Sequence, residues 1–147
     1  MAEIVEIAHS NYQEIARLAS KLWPDSTLEE EKKYFHHCIS DTTHTAFLLT
    51  METTSIGFVL VSLRNDFVEG TKSKPVCYIE GIYVEPPHRR KGYAELLIHK
   101  AESWGKAMNC TEIASDTEIN NRASIAFHKG IGFKEINRVV CFAKAIL

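Results

Sequence analysis

The feature that most limits the fold of this chain is a strand–helix–strand unit in its second half. Val76–Val84 is rich in β-branched and aromatic residues, which predicts a strand. A basic turn follows and leads into an amphipathic helix, and Thr111–Ala114 predicts a second, short strand. The apolar face of the helix consists of Ala94, Leu97, Ile98, Ala101 and Trp104. Because a helix connects the two strands, we expect them to pair in parallel.

The first half of the chain predicts one strand, two helices and a strand pair. Glu3–Ala8 alternates apolar and polar residues, as a half-buried strand does. Two helices follow, with Ser10 and Thr27 as their predicted N-caps. Two strands joined by a short polar turn come next, at Ala46–Thr50 and Ile56–Leu63. Strands joined in this way are mostly antiparallel.

The end of the chain predicts one more helix and two more strands. The helix covers Asn121–Lys129, and the strands cover Phe133–Asn137 and Val139–Ala143. No linker interrupts the chain, so we expect a single domain over residues 1–147. The predicted fold class is α/β (α+β), with a mixed sheet of six to seven strands flanked by helices.

Charge and composition exclude several classes of function. The formal net charge is −2, whereas a nucleic-acid-binding protein needs a basic surface. No apolar run approaches the length of a membrane span, and acidic residues stand where a signal peptide would have Lys or Arg. We therefore expect a cytoplasmic protein without nucleic-acid or membrane partners. The cysteines are dispersed and the histidines form no ligand motif, so we expect no metal.

The turn before the long helix has the chemistry of a phosphate site. The first turn of a helix has free backbone N–H groups and a partial positive charge. Small residues there let a ligand approach the backbone, and adjacent cations strengthen the field. The residues are Arg89, Arg90, Lys91, Gly92, Tyr93 and Ala94. They predict a diphosphate site, although a solvated basic turn is the alternative interpretation.

Two motifs resemble those of the GNAT acetyltransferases. Arg89-x-x-Gly92-x-Ala94 fits the signature Arg/Gln-x-x-Gly-x-Gly/Ala, which in that family binds the pyrophosphate of acetyl-coenzyme A. The stretch from Asn121 to Phe133 is similar to a second family motif, and the predicted element order matches the GNAT fold. The resemblance implies a GNAT fold, acetyl-coenzyme A as cosubstrate, and Asn121 among the coenzyme contacts.

His128 departs from the second motif. It stands where many family members have a tyrosine that protonates the leaving thiolate. Histidine can also donate a proton near neutral pH, so a role as general acid is chemically possible. A packed or solvent-facing histidine on a helix is the other interpretation, and both stay open.

The strand before the basic turn carries an acid in an apolar setting. Glu80 interrupts the strand, and Gly81 beside it suggests a β-bulge. In the resembling family this strand splays from its parallel neighbour, which here predicts a splay between the strands that end near Val84 and Ser115. The amides that the family uses for the acetyl carbonyl and the pantetheine arm correspond to Ile82, Tyr83 and Val84.

Glu80 would then lie next to the acetyl carbonyl. It is a candidate to accept the amine proton or to anchor a cationic substrate, and an edge carboxylate facing solvent is the alternative. Asp116 follows the short strand, where α/β sheets place ligands. Paired carboxylates attract cationic substrates, although a turn or capping role is common for aspartate.

The resemblance narrows to the aminoglycoside 6′-N-acetyltransferases. Carried over by position, the aminosugar contacts are Trp23, Phe67, Glu80 and Asp116. Trp23 as an ordinary core aromatic is the alternative. The resemblance implies acetyl transfer to the 6′-amine of aminoglycoside antibiotics, hence resistance, and a homodimer formed through C-terminal strands. There are two competing hypotheses: acetylation of another cationic amine, and coenzyme A binding without turnover.

Overall fold

The computed structural model describes all 147 residues. The chain forms two compact units, Met1–Asp116 and Thr117–Leu147. The first unit contains five strands, three α-helices and a short 3-10 helix at Pro86–His88. The strands and α-helices follow in this order: β1 Ala2–Glu6, α1 Tyr12–Leu22, α2 Leu28–Cys38, β2 His44–Met51, β3 Thr54–Arg64, β4 Val76–Val84, α3 Tyr93–Ala107 and β5 Ile113–Ser115. The second unit contains one helix, α4 Arg122–Gly130. The expectation of a single domain stays a prediction.

The sheet of the first unit is mixed, as predicted. Its strand order is β1-β2-β3-β4-β5, and the first four strands are antiparallel. β4 and β5 pair in parallel, because α3 carries the chain back between them. The bounds of β4 are those predicted from its β-branched and aromatic residues.

The two final strands were predicted wrongly. No helix or strand follows α4, so the sheet has five strands instead of six to seven. Val139, Val140 and Phe142 are 67%, 76% and 92% exposed. β-propensity reflects the fit of a side chain to a pleated, half-buried surface, and the second unit offers this segment no strand to pair with.

The two predicted N-caps have different outcomes. Thr27 caps α2 in a capping box, in which its side chain accepts from the Glu30 amide and the Glu30 carboxylate accepts from the Thr27 amide. Ser10 is not the cap of α1, because the helix begins one residue later with Asn11 in that position. The Asn11 side chain accepts from the Ala8 amide at 2.8 Å and so fixes the chain entering the helix.

Helices cover both faces of the sheet in the first unit. On one face α1 and α2 pack against alternate residues of β2 and β3, in a core that includes Leu18, Phe35, Leu48 and Phe58. On the other face α3 lies so close to β4 that a Cβ at Gly105 would be 2.8 Å from the Cys77 Cβ. No helix combines the length and apolar character that crossing a bilayer requires.

Candidate functional site

A β-bulge in β4 changes the direction of the Glu80 side chain. In the β3–β4 ladder Gly81 pairs with Leu60 and Ile79 pairs with Val61, so Glu80 is the extra residue between them. This confirms the bulge predicted beside Gly81. An unpaired extra residue bends a strand and changes the direction of its side chain, which is how an acid is accommodated in this otherwise apolar strand.

Trp23 lies against the bulge. A Cβ built on Gly81 would be 2.5 Å from two atoms of the Trp23 indole, so only glycine leaves room for the ring. The same ring meets Phe58 edge-on at a centroid distance of 6.2 Å. Trp23 is therefore anchored in the core and adjoins the residue that follows Glu80, and its predicted contact with an aminosugar stays a prediction.

The pairing of β4 with β5 ends just before the bulge, at the place where the splay was predicted. β4 and β5 pair only from Cys77 with Ile113 to Ile79 with Ser115. Beyond that point β4 continues to Val84 with β3 as its partner on one side only. The second edge of β4 is thus open along Ile82–Val84, where alternate backbone groups of a strand are directed away from its paired neighbour.

Glu80 is held by two side chains of β3. The Ser62 hydroxyl donates to Glu80 Oε2 at 2.5 Å. The Arg64 guanidinium donates through Nε to Oε2 at 3.1 Å and through Nη2 to Oε1 at 2.9 Å. Two-point pairing of this kind fixes both the position and the plane of a carboxylate. Ser62 is buried, and Glu80 and Arg64 are partly exposed.

Arg64 also connects Glu80 with Asp116. Its guanidinium carbon lies 3.5 Å from the centroid of the Tyr78 ring, a cation–π geometry. The Tyr78 hydroxyl donates a short hydrogen bond to Asp116. Burial and this hydrogen bond raise the pKa of Tyr78, so its hydroxyl keeps its proton. The structure therefore joins the two predicted acids in one network, which we call the acid cluster: Ser62, Arg64, Tyr78, Glu80 and Asp116.

Three members of the acid cluster, Ser62, Arg64 and Tyr78, were not predicted from the sequence. Ser62 and Arg64 are two residues apart on β3 and Tyr78 lies directly across from Ser62, so they share one face. Ser62 is a buried polar residue within the apolar run of β3. That interruption was the available signal, because a buried hydroxyl needs a polar partner.

Phe67 lies on the loop between β3 and β4, which is anchored by the packing of Val68 and by hydrogen bonds from Lys72 and Ser73 to Glu112. Phe67 is 80% exposed, while its neighbour Val68 is buried with Val76 and Tyr78. The loop thus places an aromatic ring in solvent, one residue from Val68, which packs against Tyr78 of the acid cluster. An exposed ring of this kind is available to a ligand, and the substrate contact that the resemblance implies for Phe67 stays a prediction.

The turn before α3 has an unusual backbone. Gly92 adopts φ +84° and Arg90 adopts φ +62°, both in the left-handed region. The Arg89 side chain donates to the Val84 carbonyl at 2.6 Å and lies 5.4 Å from the Tyr83 ring. Arg89 therefore fastens the turn to the end of β4, although it is exposed to solvent, as Arg90 and Lys91 are.

Backbone donors open this turn to a ligand. The first intrahelical bond of α3 runs from the Leu96 amide to the Gly92 carbonyl. The amides of Tyr93, Ala94 and Glu95 precede it and have no partner within the helix. A Cβ at Gly92 would meet nothing within 4 Å. Free amides, open space and two exposed cations fit a diphosphate.

The second unit contains the two remaining predicted residues. Asn121 is the N-cap of α4, and its side chain accepts from the Ser124 amide at 3.1 Å. His128 Nδ1 lies 2.7 Å from the Ser124 carbonyl. A carbonyl can only accept, so Nδ1 carries the hydrogen of this bond. His128 therefore donates a further proton from Nε2 only in its imidazolium form.

The two buried cysteines of the first unit, Cys38 and Cys77, do not have the character of nucleophiles. All four cysteines of the chain are free. Cys77 is buried, its thiol approaches the Ala101 carbonyl at 3.6 Å, and burial raises its pKa to about 12. Burial likewise raises the pKa of Cys38 to about 11. Thiolates are the nucleophilic form, so these two residues are poor candidates for covalent catalysis.

Comparison with known proteins assigns the chain to a family. Residues 8–133 match the sequence model of the Acetyltransferase (GNAT) family. The chain therefore belongs to the GNAT acetyltransferases.

Individual relatives are more specific. An aminoglycoside N(6′)-acetyltransferase type 1 of Acinetobacter haemolyticus is 40% identical over 129 residues, which cover 88% of each chain. One of Serratia marcescens is 36% identical over 144 residues, which cover 97% of this chain and 99% of the relative. The structure of AAC(6′)-Iy with a bisubstrate analogue of coenzyme A and acetylneamine superposes with a TM-score of 0.95, at 30% identity and 99% coverage of both chains.

Proposed function

We propose that the protein transfers the acetyl group of acetyl-coenzyme A to the 6′-amine of an aminoglycoside. The observation that carries this proposal is the acid cluster beside the open edge of β4. A cationic amine fits next to Glu80 and Asp116, and a thioester fits along the edge where β5 no longer pairs. The relatives named above, which are aminoglycoside N(6′)-acetyltransferases, support the choice of substrate.

The coenzyme would lie along β4 and the start of α3. The free amides of Tyr93 and Ala94 bind the pyrophosphate, and the exposed cations Arg90 and Lys91 add to the field. Arg89 contributes by fixing the turn to Val84. The open edge at Ile82–Val84 binds the pantetheine arm and stabilises the oxyanion that forms on the acetyl carbonyl.

The aminosugar would lie against the acid cluster. Its ammonium groups interact with Glu80 and Asp116, and the rings of Trp23 and Phe67 contact its apolar faces. The exposed position of Phe67 suits a substrate that arrives from solvent. Trp23 lies at the bulge, so its contact with the substrate is fixed relative to Glu80.

The reaction needs one proton to leave the amine before or during attack. At neutral pH an aliphatic amine is mostly protonated, and Glu80 accepts this proton directly or through water, with Asp116 holding the amine. The neutral nitrogen attacks the thioester carbonyl. As the tetrahedral intermediate collapses, the C–S bond breaks and the nitrogen releases its second proton to solvent, which leaves a neutral amide. The thiolate takes up a proton, for which His128 as imidazolium is the proposed donor. Asn121 keeps its proposed coenzyme contact.

A thiol-release assay tests this function. Purified protein is mixed with acetyl-coenzyme A and kanamycin, and free coenzyme A is titrated with a thiol reagent. Release that depends on kanamycin supports the proposal. Release with spermine but not with kanamycin assigns the site to another cationic amine, which the acid cluster also accommodates. Coenzyme A binding without release with any amine shows a binding protein without turnover.

The proposal includes a homodimer formed through the C-terminal segment 134–147. This segment lacks helix and strand, and its large apolar residues are mostly exposed: Ile136, Val139, Val140, Phe142, Ile146 and Leu147. A second copy that pairs with the segment would satisfy its backbone and cover these side chains. Light scattering after gel filtration gives the mass, and a monomer at micromolar concentration contradicts this part of the proposal.

Resistance and cytoplasmic location also belong to the proposal. Aminoglycosides act inside the bacterial cell only while their amines are unmodified, so an active enzyme should protect the cell. Cells that express the wild-type chain or Glu80→Ala are compared for kanamycin susceptibility. Equal susceptibility of both strains, at equal protein levels in the cytoplasmic fraction, would argue against resistance as the biological role.

A further inference from the structure

Arg64 has no step of its own in the proposed reaction, yet its side chain lies between the two acids. Nη2 and Nε of its guanidinium donate to both oxygens of Glu80, at 2.9 Å and 3.1 Å. The same group stacks 3.5 Å above the Tyr78 ring, whose hydroxyl holds Asp116. A planar guanidinium can pair and stack at once, whereas a lysine ammonium provides only a point charge.

The pattern of bonds leaves one oxygen of Glu80 accessible to a new donor. Oε2 accepts from Ser62 and from two nitrogens of Arg64. Oε1 accepts from Arg64 Nη2 alone. A carboxylate offers about four lone-pair sites, two on each oxygen. An open lone pair therefore remains on Oε1, and Ser62 and Arg64 together decide which oxygen an incoming amine meets.

Both acids act on Arg64 electrostatically. Burial disfavours its charge, but the hydrogen bond from Arg64 to Glu80 and the negative charges of Glu80 and Asp116 raise the pKa of Arg64 overall. The guanidinium stays charged and offsets one of the two carboxylates. The cluster therefore presents a partly neutralised pair of acids, one carboxylate held by Arg64 and the other by Tyr78.

We propose that Arg64 is a positioning residue that sets Glu80 and Asp116 as a single unit for the cationic amine. The inference rests on the function proposed above. Arg64 fixes Glu80 with Oε1 open and supports the Tyr78 ring that holds Asp116. Replacement of the guanidinium should therefore loosen both acids together, without a change at the coenzyme turn.

Steady-state kinetics with kanamycin test this role. We expect Arg64→Lys to lower kcat/KM for kanamycin about tenfold, mainly through KM, since a lost hydrogen bond to a charged group has an effect of this size. KM for acetyl-coenzyme A should change by less than about twofold. Arg17→Gln is the matched control, because Arg17 also pairs with a glutamate, Glu14, on the exposed side of α1. An Arg64→Lys variant with the kinetics of this control would overturn the proposal.

A double-variant comparison separates joint positioning from two independent effects. Asp116→Asn is measured in the wild type and in Arg64→Lys. We expect the fold-decrease in kcat/KM caused by Asp116→Asn to be at least about threefold smaller in Arg64→Lys than in the wild type, because Asp116 is already misplaced in that variant. Effects that multiply without interaction would show that Arg64 does not position Asp116.

The energetic coupling between Arg64 and Tyr78 can also be measured without turnover. The free energies of unfolding of Arg64→Gln, Tyr78→Leu and the double variant are obtained from urea titrations, and we expect the two changes to be non-additive because the side chains stack. If the wild type releases no coenzyme A but the non-additivity is found, the proposed function fails and the Arg64 network stands. Additive free energies overturn the network itself.

Discussion

The acid cluster and the turn before α3 are built in opposite ways. In the acid cluster, side chains hold side chains: Ser62 and Arg64 fix Glu80, and Tyr78 fixes Asp116. In the turn, the predicted ligand donors are backbone amides, and the left-handed Gly92 sets the direction of the chain. Among the basic side chains of the turn, Arg89 is the one that donates a hydrogen bond to the end of β4, at the Val84 carbonyl.

The difference predicts how each end of the proposed site selects its ligand. A carboxylate pair held by directional hydrogen bonds discriminates between amines by position. A row of amides recognises a phosphate group whatever is attached to it. Single side-chain changes should therefore affect the acid cluster strongly, and the turn should respond more to its backbone than to its cations.

The largest effect is expected at Glu80. Glu80→Gln keeps the shape of the side chain but removes the proton acceptor, so we expect kcat/KM for kanamycin to fall about a hundredfold or more. Stopped-time assays of coenzyme A release give the rate, and Glu14→Gln on the surface of α1 is the control. A fall no larger than that of Glu14→Gln would remove Glu80 from the chemistry and leave the acid cluster as a binding feature only.

The second largest effect is expected for a change in the backbone of the turn before α3. Gly92→Ala places a Cβ on a residue with φ +84°, which costs about 1–2 kcal/mol, so the turn shifts and KM for acetyl-coenzyme A rises about fivefold to tenfold. Gly130→Ala is the control, because a Cβ there also meets nothing within 4 Å and the residue lies within α4. Unchanged affinity for coenzyme A in calorimetry of Gly92→Ala would contradict a backbone-built site.

The cations of the turn should matter less. Arg90→Gln and Lys91→Gln each remove an exposed charge, and we expect KM for acetyl-coenzyme A to rise only about twofold to threefold. The effect should shrink at 0.5 M salt, because exposed charges are screened. A tenfold effect that persists in high salt would show that these side chains, instead of the amides, bind the phosphates.

The smallest effect is expected at an acid outside both regions. Glu31 is buried on α2, one of its oxygens has no hydrogen-bond partner, and burial raises its pKa. Folding thus favours the protonated form. Its contribution to stability is fullest below the ordinary carboxyl pKa and is lost as the pH rises through the raised pKa.

Glu31→Gln should therefore raise the melting temperature by a few degrees at pH 8 and by less at pH 4. A rise of this size at pH 8 corresponds to a gain of about 1 kcal/mol or less in the free energy of unfolding. Melting curves at the two pH values provide the measurement, and kinetics with kanamycin should not change. An equal rise at both pH values would mean that ionisation of Glu31 is not the cause. Glu80, held by Arg64 and Ser62, provides the contrast of a partnered acid.

Several predictions from the sequence rested on local patterns, and these were confirmed. The bounds of β4, the Thr27 cap and the bulge at Glu80 follow from propensity, capping chemistry and an acid beside glycine. The predicted strands after Gly132 were wrong, because a strand needs a partner to pair with, and the second unit contains no other strand. The roles of Asn121 and His128 stay predictions.

By itself the sequence determined the strand–helix–strand unit, the basic turn before α3 and the two acids, since each depends on neighbours in the chain. The tertiary structure alone decided that Arg64 and Tyr78 join Glu80 to Asp116. These residues come from β3, β4 and the end of β5, and only the register of the sheet brings them together. Register depends on the packing of whole strands, which no local pattern in the sequence records.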